Sequence, residues 1–164
     1  MNVVSQNKVL YYFLVFISGS LTVIAIGPGL FDLQDISSHW QYIFFEKVCH
    51  QDPVRSYSIN GLSMAVCARC LGIYSSFFVG VVLMPLNARW VVASRRVNIY
   101  LLSTAIGINA FDVLLNALSV YSNSLFSRLV LGAFFGLTLA ILINDEFFKI
   151  NTQSEDKYGR EYST

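Results

Sequence analysis

The chain has 164 residues, of which 55% are apolar and 13% charged, with a mean hydropathy of +0.56. An ordinary soluble domain carries about 25% charged residues. This composition therefore excludes such a domain, and intrinsic disorder with it, and points to a chain that lives in a bilayer. The net charge of +1, from 11 basic and 10 acidic side chains, leaves no footprint for nucleic acid, and three cysteines are too few for a disulfide scaffold.

A helix needs about 20 residues to cross a hydrocarbon core of about 30 Å. The first segment that qualifies runs from about Val9 to Gly27 and carries no charge. Ala25-Ile26-Gly27 followed by Pro28 is a poor cleavage site, so it reads as a retained helix rather than a signal peptide. An outer loop over residues 28–63 follows. Within it Ile36, Trp40, Ile43, Phe44 and Val48 recur at helical spacing. The stretch from Asp35 to His50 is therefore expected to be an amphipathic helix on the membrane interface, with Trp40 and Tyr42 at headgroup depth.

The next three spans are expected at about Met64–Met84, Val97–Leu118 and Leu125–Ile143. Each contains a charge: Arg69, Asp112 and Arg128 respectively. Pro85 closes the second as a helix stop. The polar tail, residues 144–164, reads as disordered. Basic residues are richer at the N-terminus (Lys8), in the second loop (Arg89, Arg95, Arg96) and in the tail (Lys149, Lys157, Arg160) than in the first loop (Lys47, Arg55). That bias places both termini on the cytoplasmic side of the plasma membrane. The expected fold is all-α: residues 1–143 form a four-helix transmembrane bundle capped on its outer face by the amphipathic helix and a short reversal.

All three cysteines fall between Cys49 and Cys70. Asn60-Gly61 between them is a tight-turn signal, and a reversal there pairs positions whose numbers sum to about 121. Cys49 and His50 then return beside Cys67 and Cys70, which share a helix face with Tyr74. Three readings stay open. Cys49, Cys67, Cys70 and a histidine, His50 or the spare His39, make a Cys3His zinc site. Alternatively Cys67 and Cys70, at a helix N-terminus beside Arg69, form a redox dithiol that passes electrons to a quinone. In the third reading a structural disulfide staples the loop in a non-catalytic subunit.

Charges inside a membrane face the bundle interior or one another. Asp112 and Arg128 lie at similar depth and are expected to pair. Asn109, Asp112 and Asn116 form one stripe on the third span, and Gly132-x-x-x-Gly136 allows close helix contact on the fourth. Arg55, Arg69 and Arg128 together suit an anion such as a lipid phosphate or a carboxylate. On that reading Arg55, Arg69, Asp112 and Arg128 are the candidate catalytic residues, in a pocket beneath a zinc ion that activates water against a lipid-linked or small anionic substrate.

Cys49-His50-Gln51, Pro53, Arg55-Ser56, Gly61, Cys67-Ala68-Arg69-Cys70 and Gly72-Ile73-Tyr74 resemble the signature of a family of small prokaryotic membrane proteins, the domain of unknown function 2085 family. Asp112, Asn123, Arg128, Gly132 and Gly136 extend the resemblance, which covers roughly Glu46 to Leu142. Leu71, and the lack of a proline ahead of Asp112, depart from the pattern. The resemblance implies a multi-span membrane protein and names no chemistry.

Overall fold

The computed structural model describes residues 8–27, 39–87, 95–118 and 123–161. In chain order it contains α1 (Lys8–Ile26), α2 (His39–Phe45), a 3-10 turn (Pro53–Arg55), β1 (Ser58–Ile59), β2 (Leu62–Ser63), α3 (Ala68–Val82), α4 (Met84–Asn87), α5 (Arg95–Ala117) and α6 (Leu125–Glu161).

Among the described residues, three helices are long and apolar enough to cross a membrane: Val9–Ile26, Arg96–Ala117 and Leu125–Asn144. α3 is apolar but has only 15 residues, about 22 Å of helix. The second span expected from Met64 starts later because Cys67 takes extended backbone (φ −68, ψ 160) as the N-cap. It stops at Leu83, whose N–H donates to the Val79 carbonyl. Pro85, two residues on, has no N–H to continue the ladder. The tail differs too. Residues 144–161, expected to be disordered, continue α6 to Glu161. No proline interrupts them, and a helix already nucleated over the preceding span propagates cheaply.

The distribution of side chains is inside-out relative to a soluble protein. Phe16 (73% exposed), Phe111 (61%) and Phe126 (70%) face outward, while Ala25, Ala105, Ala140, Ser18, Ser76 and Thr138 are buried. Small residues let helix backbones approach, which is how helices associate where lipid removes the hydrophobic drive between them. α3 packs against both α1 and α6, and α5 packs against α6. Thr22 Oγ1 donates to the Tyr74 carbonyl (3.1 Å) and Tyr11 to that of Val82 (3.3 Å), so α1 runs antiparallel to α3. α3 and α6 run parallel, with Gly132 against Arg69 and Gly136 against Ile73. Asn109 Nδ2 reaches the Leu131 carbonyl (3.1 Å) and Asn123 reaches Asp112, which makes α5 antiparallel to α6. The end of α1, the start of α3, the end of α5 and the start of α6 therefore meet at one end of the bundle.

The loop that covers this end reverses where the sequence puts the turn. β1 and β2 pair antiparallel as Ser58 with Ser63 and Ile59 with Leu62, the register whose numbers sum to 121. Asn60 (φ 53) and Gly61 (φ 79) supply the two left-handed positions that a tight hairpin requires. The pairing does not extend to Val54 and Cys67. Pro53–Arg55 instead form a 3-10 turn, capped by Asp52 through a bond from the Val54 N–H (3.0 Å). α2 accounts for part of the expected amphipathic helix, whose residues 35–38 lie outside the described residues. It buries Gln41 and Phe45 and exposes Trp40, Ile43 and Phe44.

Candidate functional site

Cys49 is held by a backbone bond from its own N–H to the Phe45 carbonyl (2.8 Å), just past the end of α2. Cys67 caps α3 and Cys70 sits in its first turn. The Cys67 N–H donates to Cys49 Sγ (3.1 Å), joining loop to helix. The three sulfurs lie within 4.8 Å of one another, and all three cysteines are free thiols. Around them pack Phe45, Val66, Leu71 and Tyr74, with the Phe45 and Tyr74 rings 5.6 Å apart.

Gln51 is what keeps Cys49 there. It adopts φ 48, and its Nε2 donates to the carbonyls of Tyr42 (2.6 Å) and Ala65 (3.0 Å). One amide thus ties α2 to the strand entering α3. Tyr42 adds a second tie, donating from its hydroxyl to the Ser63 carbonyl (2.5 Å), and burial pushes its phenol above the ordinary pKa. Gly27 closes the other side. It takes φ +85 at the end of α1, and a Cβ there would stand 2.8 Å from the Ala65 nitrogen. Sequence reasoning overlooked Gln51 and Gly27; the Cys-His-Gln run was the available signal for the first. His50 is exposed and does not join the sulfurs. The side chain of His39 lies outside the described residues.

The sulfur set fits a soft metal ion. Tetrahedral zinc with Zn–S bonds of about 2.3 Å holds its sulfurs about 3.8 Å apart. Thiols already within 4.8 Å reach that spacing by small rotamer changes. Thiolate-rich sets favour zinc, copper(I) or iron–sulfur chemistry over hard cations. The Cys67 N–H aimed at Cys49 Sγ is the kind of outer hydrogen bond that stabilises a ligating thiolate.

Next to the sulfurs, the intramembrane charges pair differently from expectation. Asp112 binds Arg69, not Arg128. Arg69 stands in the first turn of α3, where its backbone touches Gly132, and that close seam brings its guanidinium across to α5. Asn123 completes the carboxylate, with Nδ2 2.6 Å from each oxygen. Arg55 pairs with Asp52 (3.1 Å). The two ion pairs among the described residues use Arg69 and Arg55, and Arg128 belongs to neither. Arg55, Arg69 and Arg128 nonetheless share one cavity of about 390 Å³, completed by Val113, Asn116 and Ala117 of α5. Arg128 lies within electrostatic reach of Arg55, Arg69 and Asp112.

Fold and site together define a helical membrane protein with a three-thiol cluster set against an arginine-lined cavity. The chain belongs to the family described as Predicted membrane protein (DUF2085), which it matches over residues 49–142, beginning at the first cysteine of the cluster. It is 39% identical over 83 residues to an uncharacterized protein of Methanocaldococcus jannaschii, covering 46% of this chain and 53% of that relative. The chain thus spans about half the length of the curated relative it matches. No solved structure matches it.

Proposed function

We propose that Cys49, Cys67 and Cys70 hold one metal ion, best suited to zinc, at the membrane face of a four-span bundle. α3 is the short second span of that bundle. The excess of basic residues at the N-terminus, in the second loop and in the tail supports an outer site with both termini in the cytoplasm. The observation that carries the reading is the convergence of three sulfurs within 4.8 Å, from a loop and a helix start 18 residues apart. Three protein ligands leave a fourth position for His50 or a small molecule, the arrangement of an open zinc site. A zinc ion so held supplies Lewis-acid chemistry. The chain's own groups divide the remaining work: Gln51 and Tyr42 position Cys49, Asp112 and Asn123 orient Arg69, and the arginine cavity takes the anionic part of a substrate.

The test is metal content and thiol count on detergent-purified protein. About one zinc per chain is expected, with all three thiols recovered after chelation and denaturation, and Cys67→Ser should abolish the bound zinc. No metal and a single titratable thiol would overturn the metal reading in favour of a quinone-linked dithiol or a structural disulfide.

A further inference from the structure

We infer that the cavity between the Pro53–Arg55 turn and the first turns of α3 and α6 is a binding site for a phosphate group. This deepens the reading of the cavity above and stands whether or not the cysteines bind metal. Three guanidiniums approach from three separate elements: Arg55 from the loop, Arg69 from α3 and Arg128 from α6. They face two carboxylates, Asp52 and Asp112, so the five charges leave one positive charge uncompensated. Arg128 is the member that belongs to neither ion pair among the described residues. The cavity thus holds donors in excess of acceptors. Gathering like charges in a partly buried space is costly unless a bound anion offsets it.

The shape of the donor set selects the anion. A carboxylate offers two oxygens in one plane and suits a single guanidinium fork. A phosphate offers oxygens in tetrahedral directions and can accept from groups converging from three sides. α3 and α6 both begin at this end, and their first-turn N–H groups add positive potential there. At about 390 Å³ the cavity lies within the range of small-ligand clefts, roughly 300–1,000 Å³. It holds more than a bare phosphate. Its α5 wall is Val113, Asn116 and Ala117, and Val113 lies beside the exposed apolar residues Phe111 and Leu114. A phosphate could arrive on a lipid through that side or free from water.

The experiment uses the full chain in phosphatidylcholine nanodiscs with two probes. Inorganic phosphate is titrated calorimetrically, and phosphatidic acid is doped into the disc and its retention read by native mass spectrometry. Saturable binding of at least one probe is expected. Phosphatidic acid alone would identify a lipid-borne phosphate, and inorganic phosphate a free one. Arg128→Gln and Arg55→Gln should each weaken the bound probe by about tenfold or more, the scale of one charge-assisted hydrogen bond. Arg128→Lys, which keeps charge and loses the fork, should fall between. Neither glutamine variant orphans a deeply buried carboxylate, and unfolding curves report whether each is folded. Should Arg128→Gln not fold, Arg55→Gln on the loop decides. Zinc content measured on the same samples is expected to stay unchanged, so a failure here is distinguishable from failure of the metal reading. Binding of neither probe, or undiminished binding in a folded glutamine variant, would overturn the inference.

Discussion

α3 has two flanks, and they are built on opposite rules. Toward α6 it meets backbone with backbone. A Cβ on Gly132 would fall 2.0 Å from the Arg69 carbonyl oxygen, on Gly136 2.3 Å from that of Ile73, and on Gly72 2.3 Å from that of Leu129. Toward α1 it meets side chains. Gly19 of α1 lies against the ring of Phe78, and Thr22 and Tyr11 reach across by hydrogen bonds. The first flank has nothing that can yield, because carbonyls of two continuous helices cannot move separately. The second has rotamers to adjust. The site is anchored to the unyielding flank, since Arg69 both touches Gly132 and supplies a wall of the cavity.

The comparison breaks most directly at Gly132. Gly132→Leu must part α3 from α6, and overpacking against backbone costs about 3 kcal/mol or more. Loss of monodisperse protein in detergent is expected, and a folded variant of unchanged thermal midpoint would refute the rigid seam. Asp112→Ala comes next. It leaves the Arg69 guanidinium without its partner while the seam stays intact, and breaking a buried pair from one side costs about 3 kcal/mol. The unfolding midpoint should drop, and restoring the charge balance with Arg69→Met in the same chain should recover part of it. Gly19→Ala is the smallest. Its Cβ would sit 3.0 Å from the Phe78 ring. The ring can turn, and alanine gains roughly 1 kcal/mol of helix propensity. The midpoint should therefore move little in either direction, and a collapse like that of Gly132→Leu would mean the two flanks do not differ.

Much of this was written locally and so could be read from the sequence. Long apolar runs pointed to the long helices, and Asn60-Gly61 to the turn and its register, because each depends on neighbours in the chain. The Gly132-x-x-x-Gly136 spacing announced a close seam, though not that its other half is Arg69 and Ile73. The errors fall where partners are remote. Arg128 seemed the natural mate of Asp112 by depth. The rotation of α3 against α6, set by Gly132 and Gly136 far along the chain, delivers Arg69 instead. Asn123 completes that carboxylate, and nothing in its local sequence marks it as a ligand to a helix 11 residues earlier. The sulfurs converge as the spacing suggested, yet His50 stays out of the cluster: Gln51, at positive φ, ties the chain down just past Cys49, and His50 between them is left exposed.

On the four-span reading proposed above, the brevity of α3 has a consequence for the bilayer itself. Its 15 residues span about 22 Å where the hydrocarbon is about 30 Å thick, a shortfall of about 8 Å. A span that short is accommodated by thinning the bilayer around it or by letting its thiol-bearing end sink beneath the surface. In both cases lipid headgroups are drawn to unusual depth on one side of the protein. On that reading whatever reacts with these sulfurs meets them at the bottom of a dimple rather than on an open surface.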